Sequence, residues 1–277
     1  VASELAFKLY NFKMSIGIQL AERGFATDKI IRYGIRKLLQ DRLDQIQLVS
    51  KTQTEWIAEL ESSSLAVDTR AANEQHYEIP TAYFQTVLGK HLKYSSGLWP
   101  IGSESLDESE AAMLELTCER AELIDGQILL EIGCGWGSLS LWMATNYPTS
   151  QIVAVSNSNS QREYIKSQAV KRQLTNIEVV TCDINDFKPI GGFDRVVSVE
   201  MFEHVRNHRA LLGLIADWLN SSGKLFVHIF AHKEHSYLFE AKSAKDWMSQ
   251  YFFTGGIMPS ADLLPTAAEK LVEEARW

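Results

Sequence analysis

The sequence predicts an α/β protein, a mostly parallel, doubly wound sheet preceded by an N-terminal helical extension. Three observations lead there. From residue 120 onward, short apolar runs alternate with segments of helical periodicity, the pattern of strand–helix–strand units. The runs are continuous rather than alternately polar, as in strands covered on both faces. The first, Leu129-Leu130-Glu131-Ile132, leads directly into Gly133-Cys134-Gly135-Trp136-Gly137. Such a glycine-rich turn joins a strand to a helix where backbone must approach a ligand closely.

Residues 1–70 are expected to form a helical extension or cap, and residues 71–277 one α/β domain. Ile31, Ile35, Leu38, Leu39, Leu43 and Ile46 recur at helical spacing, with Lys29, Arg32, Arg36, Lys37 and Arg42 between them. The stripe is expected to pack as a cover over the ligand cleft. A basic amphipathic helix lying on an anionic membrane is the lesser expectation. Trp56, Ile57 and Leu60 mark a second helix, and Ser62-Ser63-Ser64 breaks the pattern. The expected strands are 128–132, 151–156, 177–181, 194–199 and 224–229, and the helices between them 138–146, 160–173 and 208–219. Ligands of such a sheet bind beyond the carboxyl ends of its strands. No internal repeat or low-complexity segment is evident.

Composition narrows the function. The 277 residues can bury a sizeable core, and 45% hydrophobic with 22% charged content is ordinary for a globular protein. A net charge of −8 disfavours a nucleic-acid partner. It leaves room for a cationic substrate, which an acidic protein attracts weakly. Cys118, Cys134 and Cys182 are scattered with no C-x-x-C pair, so neither a zinc site nor a disulfide framework is expected. A reducing, cytoplasmic setting fits, with no metal. No apolar run reaches membrane-spanning length, and no signal-peptide pattern opens the chain. A homodimer stays open.

The glycine turn resembles the first motif of class I S-adenosylmethionine-dependent methyltransferases. Its third glycine comes one residue earlier than in the dinucleotide fingerprint. The implied fold is the Rossmann-like class I methyltransferase sheet. Glu131 is then placed to receive the ammonium of a methionine moiety, and Gly133, Gly135 and Gly137 to leave room for sulfonium and ribose. After the second strand no acidic residue waits for ribose hydroxyls, which counts against a nicotinamide enzyme. Ser156, Asn157 and Gln161 offer neutral hydrogen-bonding groups instead. Asp183, followed by Ile184, is placed to accept from an adenine amino group, unless it serves as a turn cap.

After the fourth strand, Ser198-Val199-Glu200-Met201-Phe202-Glu203-His204 brings two carboxylates and an imidazole to the sheet end. A helical turn there would put Glu200, Glu203 and His204 on one face. A neighbouring carboxylate would then raise and orient the basicity of the histidine.

The order of Gln75-His76-Tyr77-Glu78-Ile79-Pro80, Leu92-Lys93-Tyr94-Ser95-Ser96-Gly97, the glycine turn, Ser198 to His204 and Gly255-Gly256-Ile257-Met258-Pro259-Ser260 is specific. Together these segments resemble the cyclopropane-fatty-acid-synthase-like methyltransferases, and within them the plant coclaurine N-methyltransferase branch, which methylates small alkaloid amines. The resemblance covers roughly residues 70–277. It implies that Glu200, Glu203 and His204 hold and deprotonate the amine. It also implies that Tyr94 and Ser95 contact the methionine end of the cofactor, and Ser156 and Gln161 its ribose. Aromatics such as Tyr83, Trp99, Phe202 and Phe230 could wall the substrate, although for any one of them ordinary core packing is the stronger expectation.

Two departures stand out. Ser96 occupies the position of a family cysteine that helps hold bicarbonate in lipid cyclopropane synthases, which weakens that chemistry here. His228 sits where such synthases carry another bicarbonate ligand. Family members also continue beyond the position of Trp277, so the sequence is expected to be part of a longer chain, with pocket elements missing. The expected reaction is N-methylation of a small aromatic or alkaloid-type amine. His204 would act as base with Glu203 in support, and Glu200 would hold the ammonium. A cyclopropane-fatty-acyl-phospholipid synthase or related lipid methyltransferase using bicarbonate is the alternative. A nicotinamide oxidoreductase and a non-catalytic methyltransferase-like partner protein rank lower.

Overall fold

The computed structural model describes residues 16–48, 51–67, 79–242 and 246–277. Helices α1 (Ile16–Glu22), α2 (Asp28–Gln47), α3 (Gln53–Leu60), α4 (Thr81–Val87) and α5 (Leu106–Arg120) come first. The alternation follows as β1 (Ile128–Ile132), α6 (Ser138–Asn146), β2 (Gln151–Ser156), α7 (Asn159–Lys171), β3 (Ile177–Thr181) and β4 (Phe193–Val199). A 3-10 turn at Phe202–His204 leads to α8 (His208–Trp218) and β5 (Leu219–His228). A small layer of β6 (Tyr237–Leu238), α9 (Trp247–Tyr251), β7 (Ile257–Met258) and α10 (Leu263–Ala267) completes the described chain.

The five long strands lie in the order β3-β2-β1-β4-β5, every neighbouring pair parallel. Winding starts at the central β1, moves out through β2 and β3, then returns to its other side with β4 and β5. The reversal lies between β1 and β4, so a crevice opens at their carboxyl ends. The expected strands are all present. The fifth starts earlier than its apolar run, at Leu219, because Asn220 to Gly223 are carried past Phe193 by an irregularity in register. Gly223 permits this, since a Cβ there would meet the Phe193 carbonyl oxygen at 2.8 Å.

Two apolar layers cover the sheet. On one side Trp56, Ile57 and Leu60 of α3 join Leu130, Val196, Phe202, Ile215 and Ile257 in one buried cluster. On the other, Leu114, Leu139 and Met143 pack with Leu129, Ile152 and Val197. Each large side chain buried this way contributes about 1.5–3 kcal/mol. Helix α3 starts at a capping box, in which Thr52 and Glu55 satisfy each other's backbone N–H groups.

Helix α2 corrects the expectation of a packed cover. Among the described residues its Ile35, Leu38, Leu39 and Leu43 are exposed, and Ile46 is its buried apolar side chain. It lines neither cleft at the sheet end. Beside buried Ile46, Arg42 ties it to the body, pairing with Asp246 at 3.8 Å and lying over the Tyr237 ring at 5.0 Å. Helical periodicity reports that one face is apolar, not what covers it. No helix of the described residues is long and apolar enough to cross a membrane.

Candidate active site

Two clefts meet at the carboxyl ends of β1 and β4, with Gly133, Gly135 and Glu200 in the walls of both. They enclose about 570 and 760 Å³, part of it open to solvent.

The glycine turn separates into three roles. Gly133, Gly135 and Gly137 all have left-handed backbone, with φ of 80°, 52° and 76°. A Cβ on Gly133 would lie 2.6 Å from Met201 Cγ, and one on Gly137 would lie 2.5 Å from Ile165 Cγ1. Both therefore permit close packing. A Cβ on Gly135 would meet nothing within 4 Å, so that position faces the open cleft. Gly137 lines neither cleft, which corrects its assignment as a ligand contact.

The first cleft is bounded by Tyr94, Ser95, Glu131, Cys134, Trp136 and Val199. Glu131 is buried at the end of β1 and accepts a hydrogen bond from Ser140 Oγ. Burial pushes its carboxyl up to about 8, against the Ser140 bond and the charge of Lys93. Lys93 is the residue that sequence reading missed. It is 3% exposed, lines the same cleft, and donates to Ser95 Oγ. Burial pushes its ammonium down to about 8, opposed by the charges of Glu200, Glu110 and Glu131. A lone lysine between Leu92 and Tyr94 carries no periodicity signal of burial. Phe84 braces this wall, its ring 5.1 Å from Tyr94 and 5.0 Å from Trp136.

The second cleft is lined by Ser156, Asn157, Gln161, Asp183 and Ile184, as expected, and by Ala66, Val67, Met201 and His204. Ser156 Oγ donates to Gln161 Oε1 at 2.6 Å and accepts from Ser158 N–H at 3.0 Å. Gln161 is buried, and its Nε2 has no hydrogen-bond partner among the described residues. A buried amide nitrogen left so is a donor awaiting a ligand acceptor. Asp183 Oδ1 accepts from Asn185 N and Nδ2 at 2.9 and 2.8 Å, so it caps a turn as well as facing the cleft. Ala66 and Val67 come from the segment after α3, tied down where Arg206 N–H donates to Leu65 O at 2.7 Å.

The acidic segment departs from the expected helical face. Glu200 has left-handed backbone, φ 52°, and stands outside the turn that begins at Phe202. Its N–H donates to His228 O at 2.8 Å, and its Oε1 lies 3.7 Å from His228 Nε2. A non-glycine residue strained this way is a frequent mark of a functional site. Glu203 is fully buried. Its Oε1 accepts from Phe230 N–H at 3.1 Å, and its Oε2 has no hydrogen-bond partner among the described residues. Burial, then the charge of Glu200, pushes Glu203 up to about 9. Both effects favour its neutral form. His204 faces the second cleft, its ring 5.4 Å from Phe253. Burial lowers His228.

The aromatic wall is only partly as expected. Phe202 is fully buried and stacked on His208, whose Nε2 lies 3.0 Å from Phe202 O. It is core and is corrected as a substrate wall. Tyr83 and Trp99 are exposed and line neither cleft. Phe230 is half-buried and packs edge-on against Phe253 at 5.2 Å, which also stacks on Phe239 at 5.1 Å. Phe239 and Phe253 were not apparent in the sequence, because residues 230–256 lack periodicity. Ser96 lines neither cleft, while Gln75 to Glu78 lie outside the described residues. The described residues contain no cluster suited to a metal ion.

Comparison with known proteins gives the family. The chain is 37% identical over 251 residues to (S)-coclaurine N-methyltransferase of Thalictrum flavum subsp. glaucum, covering 90% of this chain and 66% of that protein. It is 34% identical over 272 residues to pavine N-methyltransferase of the same plant, covering 94% and 75%. It thus spans about two thirds to three quarters of these relatives. A crystal structure of coclaurine N-methyltransferase bound to N-methylheliamine and SAH matches with a TM-score of 0.83 at 34% identity, over 91% of this chain and 75% of that one. Residues 66–272 match the family model described as mycolic acid cyclopropane synthetase, and the chain belongs to that family.

Proposed function

We propose that this chain is the cofactor-binding and catalytic part of an S-adenosylmethionine-dependent N-methyltransferase whose substrate is an aromatic amine of the benzylisoquinoline type. The observation that carries it is the place of Glu200. It stands where the two clefts meet, one suited to the methionine end of the cofactor and one to its nucleoside. The residues present fit that cofactor. Gly135 leaves space for it, Gln161 Nε2 lacks a partner, and Glu131 ends β1 with a carboxyl facing the first cleft. The similarity to plant amine methyltransferases supports the substrate class.

The cofactor supplies a methyl group already activated by a sulfonium, so the protein mainly has to align a neutral nitrogen with it. In this mechanism Tyr94, Ser95 and Glu131 hold the amino-acid end, Ser156, Asn157 and Gln161 the ribose, and Asp183 and Ile184 the base. Glu200 holds the substrate ammonium beside them. His204, across the second cleft, takes the proton and exposes the lone pair. Glu203 contributes as a neutral carboxyl, since burial and Glu200 keep it protonated. It therefore lends no negative charge to His204. Phe230 and its neighbour Phe253 give an aromatic wall near Glu203.

The test incubates the protein with methyl-labelled cofactor, a panel of benzylisoquinoline amines including coclaurine, and phospholipid vesicles, with and without bicarbonate. Label is expected on amine nitrogen, independent of bicarbonate. Label confined to lipid, or dependent on bicarbonate, overturns the proposal in favour of lipid chemistry.

A further inference from the structure

Lys93 is a buried cation without an evident counter-ion. It lies at the end of the loop that carries Tyr94 and Ser95 into the first cleft. Its side chain donates to Ser95 Oγ, a neutral group, and no ion pair with a carboxylate of the described residues accompanies that bond. Three glutamates, Glu200, Glu110 and Glu131, act on it only through their fields. An ammonium has three donors, and a buried one is costly unless a charge and hydrogen bonds meet it directly. Glu131 across the same cleft presents the mirror problem, a buried carboxyl whose hydrogen bond comes from a serine and whose charged form burial disfavours. A buried ammonium and a buried carboxyl lining one cleft, each met by a serine hydroxyl and by no ion pair among the described residues, match a ligand that carries both signs on adjacent groups.

We infer that Lys93 is a specificity-determining contact for the cofactor, its ammonium taking the α-carboxylate of the methionine moiety while Glu131 takes the α-ammonium. The inference rests on the S-adenosylmethionine assignment above. Ser95, bound to the same ammonium, fixes the direction of the lysine and can offer its own hydroxyl to the carboxylate. The clamp selects the complete amino-acid end of the cofactor over nucleosides that lack it.

The experiment measures binding by calorimetry, with no turnover needed. The ligands are S-adenosylhomocysteine and its decarboxylated counterpart, which keeps the amine and the nucleoside. Wild-type protein is expected to prefer the carboxylate-bearing ligand on the order of 10- to 100-fold, the worth of one charge-assisted hydrogen bond. Lys93→Met is expected to lose that preference by weakening S-adenosylhomocysteine and leaving the decarboxylated ligand unchanged. Should that variant not fold, Lys93→Gln keeps a donor toward Ser95 and must show the same selective loss. A wild-type protein that does not distinguish the two ligands overturns the inference, as does an equal loss for both ligands in a folded variant. Binding of neither ligand by wild-type protein overturns the cofactor assignment, and this inference with it.

Discussion

Alanine placed in turn at Gly133, Gly135 and Gly137 should separate packing from ligand recognition. All three positions have positive φ, so each alanine carries a backbone cost of about 1 kcal/mol. Any further cost depends on the space around the new methyl group. At Gly137 it would lie 2.5 and 2.9 Å from two carbons of Ile165, a side chain that is fully buried in its own cluster. Overpacking of this kind adds about 1–3 kcal/mol, for a total of roughly 2–4 kcal/mol. At Gly133 the obstacle is the Met201 side chain at 2.6 Å, which is flexible and yields more readily. At Gly135 no atom lies within 4 Å, so only the backbone cost applies. Thermal unfolding reads the stability loss, at about 2–4 °C per kcal/mol for a chain of this size. The expected losses are then roughly 4–16 °C for Gly137→Ala and about 2–4 °C for Gly135→Ala. Titration with S-adenosylhomocysteine reads ligand recognition. Gly135→Ala should bind it at least about tenfold more weakly, because about 1.4 kcal/mol of lost contact suffices for that factor. A Gly135→Ala protein that is as unstable as Gly137→Ala, or that binds the ligand normally, would refute the division of roles.

The base assignment predicts that His204→Ala lowers methyl transfer by roughly 10²–10⁴-fold at saturating cofactor, with the deficit shrinking at high pH, where more amine is already neutral. Near-normal rates at neutral pH would dismiss His204. Glu203→Gln should cost little activity at neutral pH, since the wild-type carboxyl is already protonated, and an effect as large as that of Glu200→Gln would show that Glu203 acts as an anion. Acid sensitivity should come from His208, which burial holds down to about 4 from its ordinary 6.5. The folded state keeps it neutral while the unfolded chain binds a proton, so this penalty is absent above about pH 6.5 and grows to roughly 3 kcal/mol by about pH 4. Urea melts of wild-type and His208→Gln protein across that window should show a stability difference that is constant near neutral pH and shifts in favour of the variant in acid; a difference independent of pH would reject it. On the exposed stripe of α2, Leu39→Glu should change stability by less than about 0.5 kcal/mol. Trp56→Ala, which opens the buried cluster beside the sheet, should cost about 3–5 kcal/mol.

The sheet was legible because its strands are covered on both faces. Leu129 to Ile132, interrupted by Glu131 alone, and the apolar runs Val153 to Val155 and Val196 to Val197 each coincide with a strand in the central register. Periodicity fails where burial is one-sided or absent. The apolar stripe of α2 is as regular as that of α8, yet Leu211, Leu212 and Ile215 are buried while Ile35, Leu39 and Leu43 are exposed. Pattern gives the apolar face, and only three-dimensional contact gives its cover. The first residues of β5 were invisible for the opposite reason, since Asn220 to Gly223 carry no apolar signal and join the strand through register with Phe193.

At the site, residue identity was legible and charge state was not. Glu131, Gly135, Ser156, Gln161, Asp183 and Glu200 could be placed because strand ends in a doubly wound sheet converge on one crevice, and all six line the clefts. Charge state depends on how much water each group keeps, which one chain position does not reveal. Glu200 and Glu203 are three residues apart and chemically identical. The left-handed backbone at Glu200 turns it toward the meeting point of the clefts, while Glu203 is sealed under Phe230. Burial then makes one a neutral carboxyl and leaves the other to raise it by its charge. Two carboxylates beside a histidine read, in sequence, as a base with anionic support. In three dimensions Glu200 stands at the meeting point of the clefts, and Glu203 becomes a buried carboxyl pushed toward its neutral form. The positive φ of Glu200 accompanies that asymmetry. A substitution at Glu200 that cannot hold positive φ should therefore disturb the amine site more than the loss of its charge alone. Glu200→Asn, tolerant of that conformation, is the milder neutral variant, and Glu200→Val the harsher.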